Sequence, residues 1–509
     1  MPAADFAGCT AMSVCCLPRF LHKFCVATTA VLLFSGGALQ AADPAAFEPC
    51  ELSTPSTGFK TRAECAEFEL PENPEASDQA KITIHVARIA ARLPDKKNDP
   101  LLFIAGGPGQ SASESWPAIQ GAFRSITKYR DVYLIDQRGT GLSNKLSCPA
   151  AEEQSEILVF DAEATAEISR ECLTQLPGDP RFYTTSIAVR ELETIRQSLG
   201  IEQWNIYGVS YGTRVALHYL RRYPDQVRTL TLDAAVPPGV ALGPDLSINA
   251  EAAFQQMLER CQTDSACNEA YPDLGTGVRD LLQRLREKPQ DISFENFNSG
   301  TLETLKVNDN HLALTMRMLS YSSHGVSILP NMLHEAYANG NFAPFARQAD
   351  IQSKNLGQSL ASGMHNAVIC TEDQPLIEQL SDQQKLKLED TYLGITPLQA
   401  LEANCRDWPA GVIDADFHEP VESDKPVLIL SGSSDPVTPP DYGERLTRHM
   451  PNALHIVNPF QGHMQIALGC GPTVVANFIT RGNTHDVDYG CLERLRPEPF
   501  FINANGPRP

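Results

Sequence analysis

Residues 82–89 (ITIHVARI) nearly alternate apolar and polar side chains, the period of a strand with one buried face. That alternation predicts an antiparallel edge strand. Further on the pattern changes to short, unbroken apolar runs at 101–104, 132–135, 204–207, 227–232 and 427–430, each bounded by turn-forming residues. Unbroken runs of this length suit parallel strands buried on both faces. Between several of them the apolar positions recur at helical spacing, as with Ile187, Leu192, Ile195 and Leu199. Strand, helix, strand in succession predicts an α/β architecture with a mostly parallel sheet.

The alternation stops near Val240 and resumes near Lys425. Between them the pattern is mostly helical, with Ala252, Phe254, Met257 and Leu258 as one apolar face and only 367–370 left ambiguous between strand and helix. This predicts an insertion rather than a second sheet. After it come a strand, a helix over 442–450 and a last strand near 454–457. The expected organisation is a sheet-bearing domain over 43–240 and 422–509, with a mostly helical cap over 241–421.

At the N-terminus Arg19 and Lys23 precede an apolar run over 24–34, and small residues then lead to Ala41 and Ala42. That is the layout of an export signal over residues 1–42, too short in its apolar part to span a bilayer. The expectation is a periplasmic or secreted protein with no stable membrane insertion after cleavage. Four of the 14 cysteines lie in the leader, leaving 10 in the mature chain. An even set in an exported protein suggests disulfides, and none of the ten has the Cys-x-x-Cys spacing of zinc or redox sites. Sequence does not fix connectivity. Pairing neighbours gives Cys50 with Cys65, Cys148 with Cys172, Cys261 with Cys267, Cys370 with Cys405 and Cys470 with Cys491. The net charge of −21 repels phosphate backbones and argues against a nucleic-acid partner.

Gly208-Val209-Ser210-Tyr211-Gly212 fits G-x-S-x-G and lies between the 204–207 strand and the helical pattern over 213–223. In a turn that tight, side chains two before and two after the serine would collide with backbone, hence the glycines. A serine hydroxyl needs a base to take its proton and a carboxylate to orient that base. Asp435 follows the 427–430 strand and His463 follows the last strand, in the order serine, acid, histidine. His449 and His455 fall within a helix and a strand and His485 in the tail; Asp441 is the alternative acid, though it opens a helix and suits a cap there. An oxyanion needs amide donors. Residues 105–110 (AGGPGQ) follow an early strand, so Gly106 or Gly107 is the expected donor beside the Tyr211 N–H, Pro108 having none. The loop lacks the lysine and spacing of a phosphate-binding motif. Asp136 and Arg138 in 136–139 (DQRG) are expected to satisfy loop amides and each other as scaffold. No metal or organic cofactor is implied.

GGPGQSA, DQRGTGLS, GVSYGT, SGSSDPVTPP and QGH, in this order between about Ile82 and Cys491, resemble the prolyl aminopeptidase and tripeptidyl aminopeptidase family of serine peptidases. The part from about Lys425 resembles the tripeptidyl-aminopeptidase-like C-terminal region. The resemblance implies the α/β-hydrolase fold, a helical cap, and a peptide substrate cleaved near its free N-terminus. Ala105 stands where proline iminopeptidases usually carry histidine, which favours the tripeptidyl type. Recognising a terminal ammonium calls for paired negative charge. Glu372 and Asp373, in the cap just after the 367–370 run, are the candidates, and the resemblance points to an acidic cluster in this area. An esterase or other small-molecule acyl hydrolase is the alternative, since the same triad cleaves esters. A catalytically silent binding protein on this fold is disfavoured by the intact Ser210, Asp435 and His463.

Overall fold

The computed structural model describes residues 46–76, 80–149, 161–296 and 299–508. The expected leader, 1–42, lies outside them. The strands are β1 (Glu48–Ser53), β2 (Lys60–Pro71), β3 (Lys81–Ile89), β4 (Leu101–Ile104), β5 (Val132–Ile135), β6 (Trp204–Val209), β7 (Val227–Asp233), β8 (Gln290–Glu295), β9 (Leu302–Val307), β10 (Val427–Gly432) and β11 (Ala453–Asn458). Nine of them form one sheet in the order β1-β2-β3-β5-β4-β6-β7-β10-β11. β1 to β3 pair antiparallel and β3 meets β5 antiparallel; from β5 to β11 every pair is parallel.

The unbroken apolar runs become parallel strands because both of their faces are covered. On one face Leu102, Ile104, Ile206, Leu230, Leu232 and Ile429 pack with Val189, Leu192 and Val215, from the helices Thr185–Ser198 and Tyr211–Arg222. On the other, Leu101, Phe103, Tyr207, Leu428 and Leu430 pack with Trp116, Val475 and Phe478, from the helices Ala112–Ile119 and Gly471–Arg481. The chain leaves β4 toward β5 on one side and returns as β6 on the other, so the connections diverge at the carboxyl ends of β4 and β6. In open α/β sheets that divergence opens the crevice where ligands bind.

Two expectations are corrected and one ambiguity is resolved. β3 is antiparallel but not an edge strand, because β1 and β2 lie outside it. β2 buries Ala66, Phe68 and Leu70 in strict alternation, whereas β1 buries only Leu52 and is joined to β2 by Cys50–Cys65. Within the insertion, β8 and β9 form an antiparallel two-stranded sheet that buries Phe294 and Val307 against helices. The ambiguous 367–370 run is helical: Ser362–Val368 is an α-helix that passes into a π-turn over Ile369–Asp373.

The insertion has a core of its own, with Phe254, Met257, Leu281, Met316, Leu333 and Phe345, and Phe500 of the C-terminal tail joins it. Its later part belongs to the sheet instead: Met364, Val368, Cys370, Cys405, Trp408 and Val421 pack into the main core. Among the described residues five disulfides form, Cys50–Cys65, Cys148–Cys172, Cys261–Cys267, Cys370–Cys405 and Cys470–Cys491, the neighbour pairing. No described helix is long and apolar enough to cross a membrane.

Candidate active site

β6 ends in a turn that places Ser210 at φ 55° and ψ −127°, a conformation a non-glycine residue adopts only when its surroundings hold it there. The turn is closed on both sides. A Cβ on Gly208 would lie 2.5 Å from the Gly212 carbonyl oxygen, and one on Gly212 would lie 2.5 Å from the carbonyls of Ile104 and Ala105. The glycines are therefore a steric requirement of the turn, and they let β4 and the Ser210 helix approach closely. The Ser210 N–H donates to the Asp233 carbonyl at 2.9 Å, tying the turn to the end of β7.

Asp435 and His463 meet from the loops after β10 and β11. His463 Nδ1 lies 2.8 Å from Asp435 Oδ2, and the buried carboxylate also accepts from the Val437 and Thr438 N–H groups and the Thr438 hydroxyl. A carboxylate can only accept, so Nδ1 carries the proton and Nε2 holds the lone pair. Nε2 has no hydrogen-bond partner among the described residues. Burial lowers the imidazole's affinity for a proton, but the Asp435 charge and hydrogen bond outweigh it and hold His463 above the ordinary histidine value. The Ser210 hydroxyl makes no hydrogen bond to His463, a contact that commonly tightens only when substrate binds. Asp441 is exposed in the first turn of the helix Pro440–Thr447, and His455 is bonded to Ser431; neither joins the cluster.

The loop after β4 lies against the serine. The Gly106 α-carbon is so close that an added Cβ would stand 3.1 Å from Ser210 Cβ. The N–H groups of Gly106, Gly107 and Tyr211 are not taken up by the turn and loop hydrogen bonds of the described residues. Asp136 anchors this loop from β5: its carboxylate accepts from the Ser111 hydroxyl and from both the N–H and hydroxyl of Ser113. Arg138 does not pair with Asp136 as expected. It makes a buried bidentate pair with Glu191 at 2.6 and 2.8 Å and binds the carbonyls of Pro71, Glu72 and Phe182.

Glu372 and Asp373 sit in the π-turn beneath the Ser210 helix, with side chains 0% exposed. Each is already partnered. Arg214, from the Ser210 helix, reaches Asp373 at 2.9 Å and Glu372 at 3.5 Å; Thr185 donates its N–H and hydroxyl to Glu372, and the Leu242 N–H donates to Asp373. The Thr185 hydroxyl is also 2.6 Å from that of Tyr211. Burial pushes Glu372 up to about 7, with Arg214 opposing. The pair was expected to face a substrate ammonium. In this geometry it faces Arg214, which an ammonium would have to displace.

Two contributors were not anticipated from sequence. Asp233 is fully buried between the serine turn and the histidine loop, its carboxylate accepting from Tyr207 Oη at 2.6 Å and from the N–H groups of Gln465 and Ile466 at 2.7 and 2.8 Å. Burial raises its pKa, opposed by those three donors. Its position at the end of the 227–232 run was the available signal. Tyr321, from the insertion, accepts the His463 N–H on its carbonyl at 2.9 Å and sets its ring edge to the imidazole, centroids 5.0 Å apart. Nothing in its local sequence marks it.

Residues 99–295 match the alpha/beta hydrolase fold family and residues 395–491 the TAP-like protein family. The serine protease Hip1 of Mycobacterium tuberculosis is 22% identical, over 86% of this chain and 88% of that protein. The tripeptidyl aminopeptidase of Streptomyces lividans is 28% identical over 38% of this chain and 39% of its own length. The proline iminopeptidase of Neisseria gonorrhoeae is 30% identical over 26% of this chain and 31% of its own length. The chain is a serine hydrolase with the alpha/beta hydrolase fold, of the serine peptidase and aminopeptidase type, with a TAP-like C-terminal segment.

Proposed function

We propose that the mature protein is an exported serine aminopeptidase that cleaves peptides near their free N-terminus, with Ser210 as nucleophile, His463 as general base and Asp435 as the residue that orients it. The observation that carries this reading is the 2.8 Å Asp435–His463 bond, which leaves Nε2 as the acceptor on a loop joined through Asp233 to the Ser210 turn. Ser210 Oγ attacks the scissile carbonyl as Nε2 takes its proton, and the carbonyl oxygen becomes an oxyanion held by the N–H groups of Tyr211 and of Gly106 or Gly107. His463 then gives the proton to the leaving amine, and water repeats the sequence on the acyl-enzyme. On this reading Glu372 and Asp373 hold the nucleophile helix through Arg214 and do not touch substrate. Residues 241–421 act as the cap. Export is supported by the leader pattern and by five disulfides. Ala105 in the oxyanion loop favours release of tripeptides over single prolines.

The test is a panel of aminoacyl, prolyl and tripeptidyl arylamides, each free and N-acetylated, beside simple aryl esters. Turnover of free tripeptidyl arylamides and loss of turnover on acetylation is the expected result. Equal rates on free and acetylated twins, or turnover of esters alone, would replace this reading with that of an esterase.

A further inference from the structure

Beside the loops that carry Asp435 and His463 lies a cavity of about 630 Å³, within the roughly 300–1,000 Å³ usual for small-ligand sites. One wall is Ser433 and Ser434, just before Asp435, with Phe460 and Gly462, the latter next to His463. The opposite wall is one face of the helix Leu246–Thr263, including Gln256 and Arg260. The walls touch where the Ser434 hydroxyl donates to Gln256 at 2.8 Å. Phe460 is 47% exposed, an apolar ring at the cavity's edge.

Arg260 is the unusual member of this lining. Its guanidinium stacks on buried Phe500 at 3.9 Å, its Nη2 is buried without a hydrogen-bond partner, and it forms no ion pair among the described residues. Asp264, the acidic group that acts on it electrostatically, uses a carboxylate oxygen to cap the next helix through the N–H groups of Ala266 and Cys267. Glu259 stands at the exposed rim and makes no ion pair with it. Burial pulls Arg260 down to about 10. A desolvated cation with unused donors is costly by itself and favours an anionic ligand, above all a planar carboxylate.

The chemistry says which ligand passes here. His463 must hand its proton to the departing amine, so the leaving part of a substrate lies on the histidine side of Ser210. We propose that this cavity is the subsite for the leaving portion of the peptide, and that Arg260 selects a carboxylate there, as an acidic side chain or as the free C-terminus of a short peptide. The inference rests on the roles proposed above for Ser210 and His463.

The experiment compares pentapeptides that share their first three residues and end in a carboxylate or a carboxamide, or carry Asp or Asn in the leaving pair. Rates are taken relative to the matching tripeptidyl arylamide, which has no leaving peptide. The carboxylate members are expected to have kcat/KM roughly tenfold or more above their neutral twins. Arg260→Gln should abolish that ratio and Arg260→Lys retain part of it. Should either variant fold poorly, inhibition of wild-type arylamide turnover by the leaving dipeptides reads the same preference, the carboxylate form inhibiting at lower concentration than the amide. Equal rates and equal inhibition with normal arylamide turnover would overturn the subsite and leave the peptidase reading standing, and so would a ratio that survives Arg260→Gln. If no peptide is cleaved, the peptidase reading fails separately. Calorimetry of the same peptides on Ser210→Ala, with and without Arg260→Gln, then decides: a carboxylate preference lost with Arg260 supports the subsite, and no preference overturns it.

Discussion

Asp233→Asn separates the wiring of the site from its chemistry. In the protein this carboxylate accepts from Tyr207 Oη and the Ile466 N–H on Oδ2 and from the Gln465 N–H on Oδ1. Asparagine keeps the shape but has one acceptor oxygen. With that oxygen in the Oδ2 place, Tyr207 and Ile466 keep their acceptor and the new NH2 confronts the Gln465 N–H; turned the other way, two donors are lost. The better arrangement leaves one buried donor unsatisfied, about 1–3 kcal/mol. Part of this is offset because the neutral amide escapes the burial that raises the Asp233 pKa. The expected net loss is about 1–2 kcal/mol, a shift of only a few degrees in Tm.

Catalysis should suffer more than stability, since Gln465 and Ile466 hold the loop that aims His463, and a misplacement of about 1 Å costs on the order of a hundredfold. The charge has a second effect. Asp233 favours the imidazolium of His463, so its removal lowers the His463 pKa. A general base must be neutral, so activity rises with pH through that pKa and the acid limb should move to lower pH in the variant. The assay is the pH profile of kcat/KM on a tripeptidyl arylamide, with kcat and KM taken separately and thermal melts in parallel. Wild-type kcat with an unmoved acid limb would refute the reasoning, and a large loss of Tm with unchanged kcat per folded molecule would reduce Asp233 to a packing residue.

Ser210→Ala should abolish turnover while leaving the melt close to wild type, and a serine-directed phosphonate should label the wild type at Ser210 alone; peptide mapping of the adduct checks it. In the wild type the acid limb should lie above the ordinary histidine value, because Asp435 holds His463 there against burial; Asp435→Asn should cut kcat roughly thousandfold or more, and a limb at or below the ordinary value would count against the pairing. Arg214→Met strands Glu372 and Asp373 without their cation and should cost about 3–5 kcal/mol, read by denaturant unfolding; a loss confined to KM for free N-termini with full stability would return those carboxylates to substrate recognition. Reductant should lower thermal stability, each disulfide contributing about 2–4 kcal/mol, and alkylation of the unreduced mature protein should modify no cysteine by mass spectrometry.

Local pattern was enough for the parts of this protein whose physics is local. A strand buried on both faces must be apolar throughout, so the runs that became β4, β5, β6, β7 and β10 were legible one by one. The Ser210 turn was legible from its glycines and its strand-to-helix setting: Gly208 answers to the Gly212 carbonyl inside the turn, whereas the demand on Gly212 comes from Ile104 and Ala105 at the end of β4. Order along the chain placed Asp435 and His463 in loops at the ends of successive parallel strands, and the tertiary structure brought them to 2.8 Å. Partner choice between distant segments was not legible. Arg138 took Glu191, 53 residues away in sequence, rather than Asp136. Glu372 and Asp373 read as carboxylates for a substrate ammonium, whereas the fold sets Arg214 against them, 159 residues from Asp373 in sequence. Composition states that a charge is present, but whether it meets solvent, a ligand or an opposite charge depends on which helix is packed beneath it, and only the folded chain decides that.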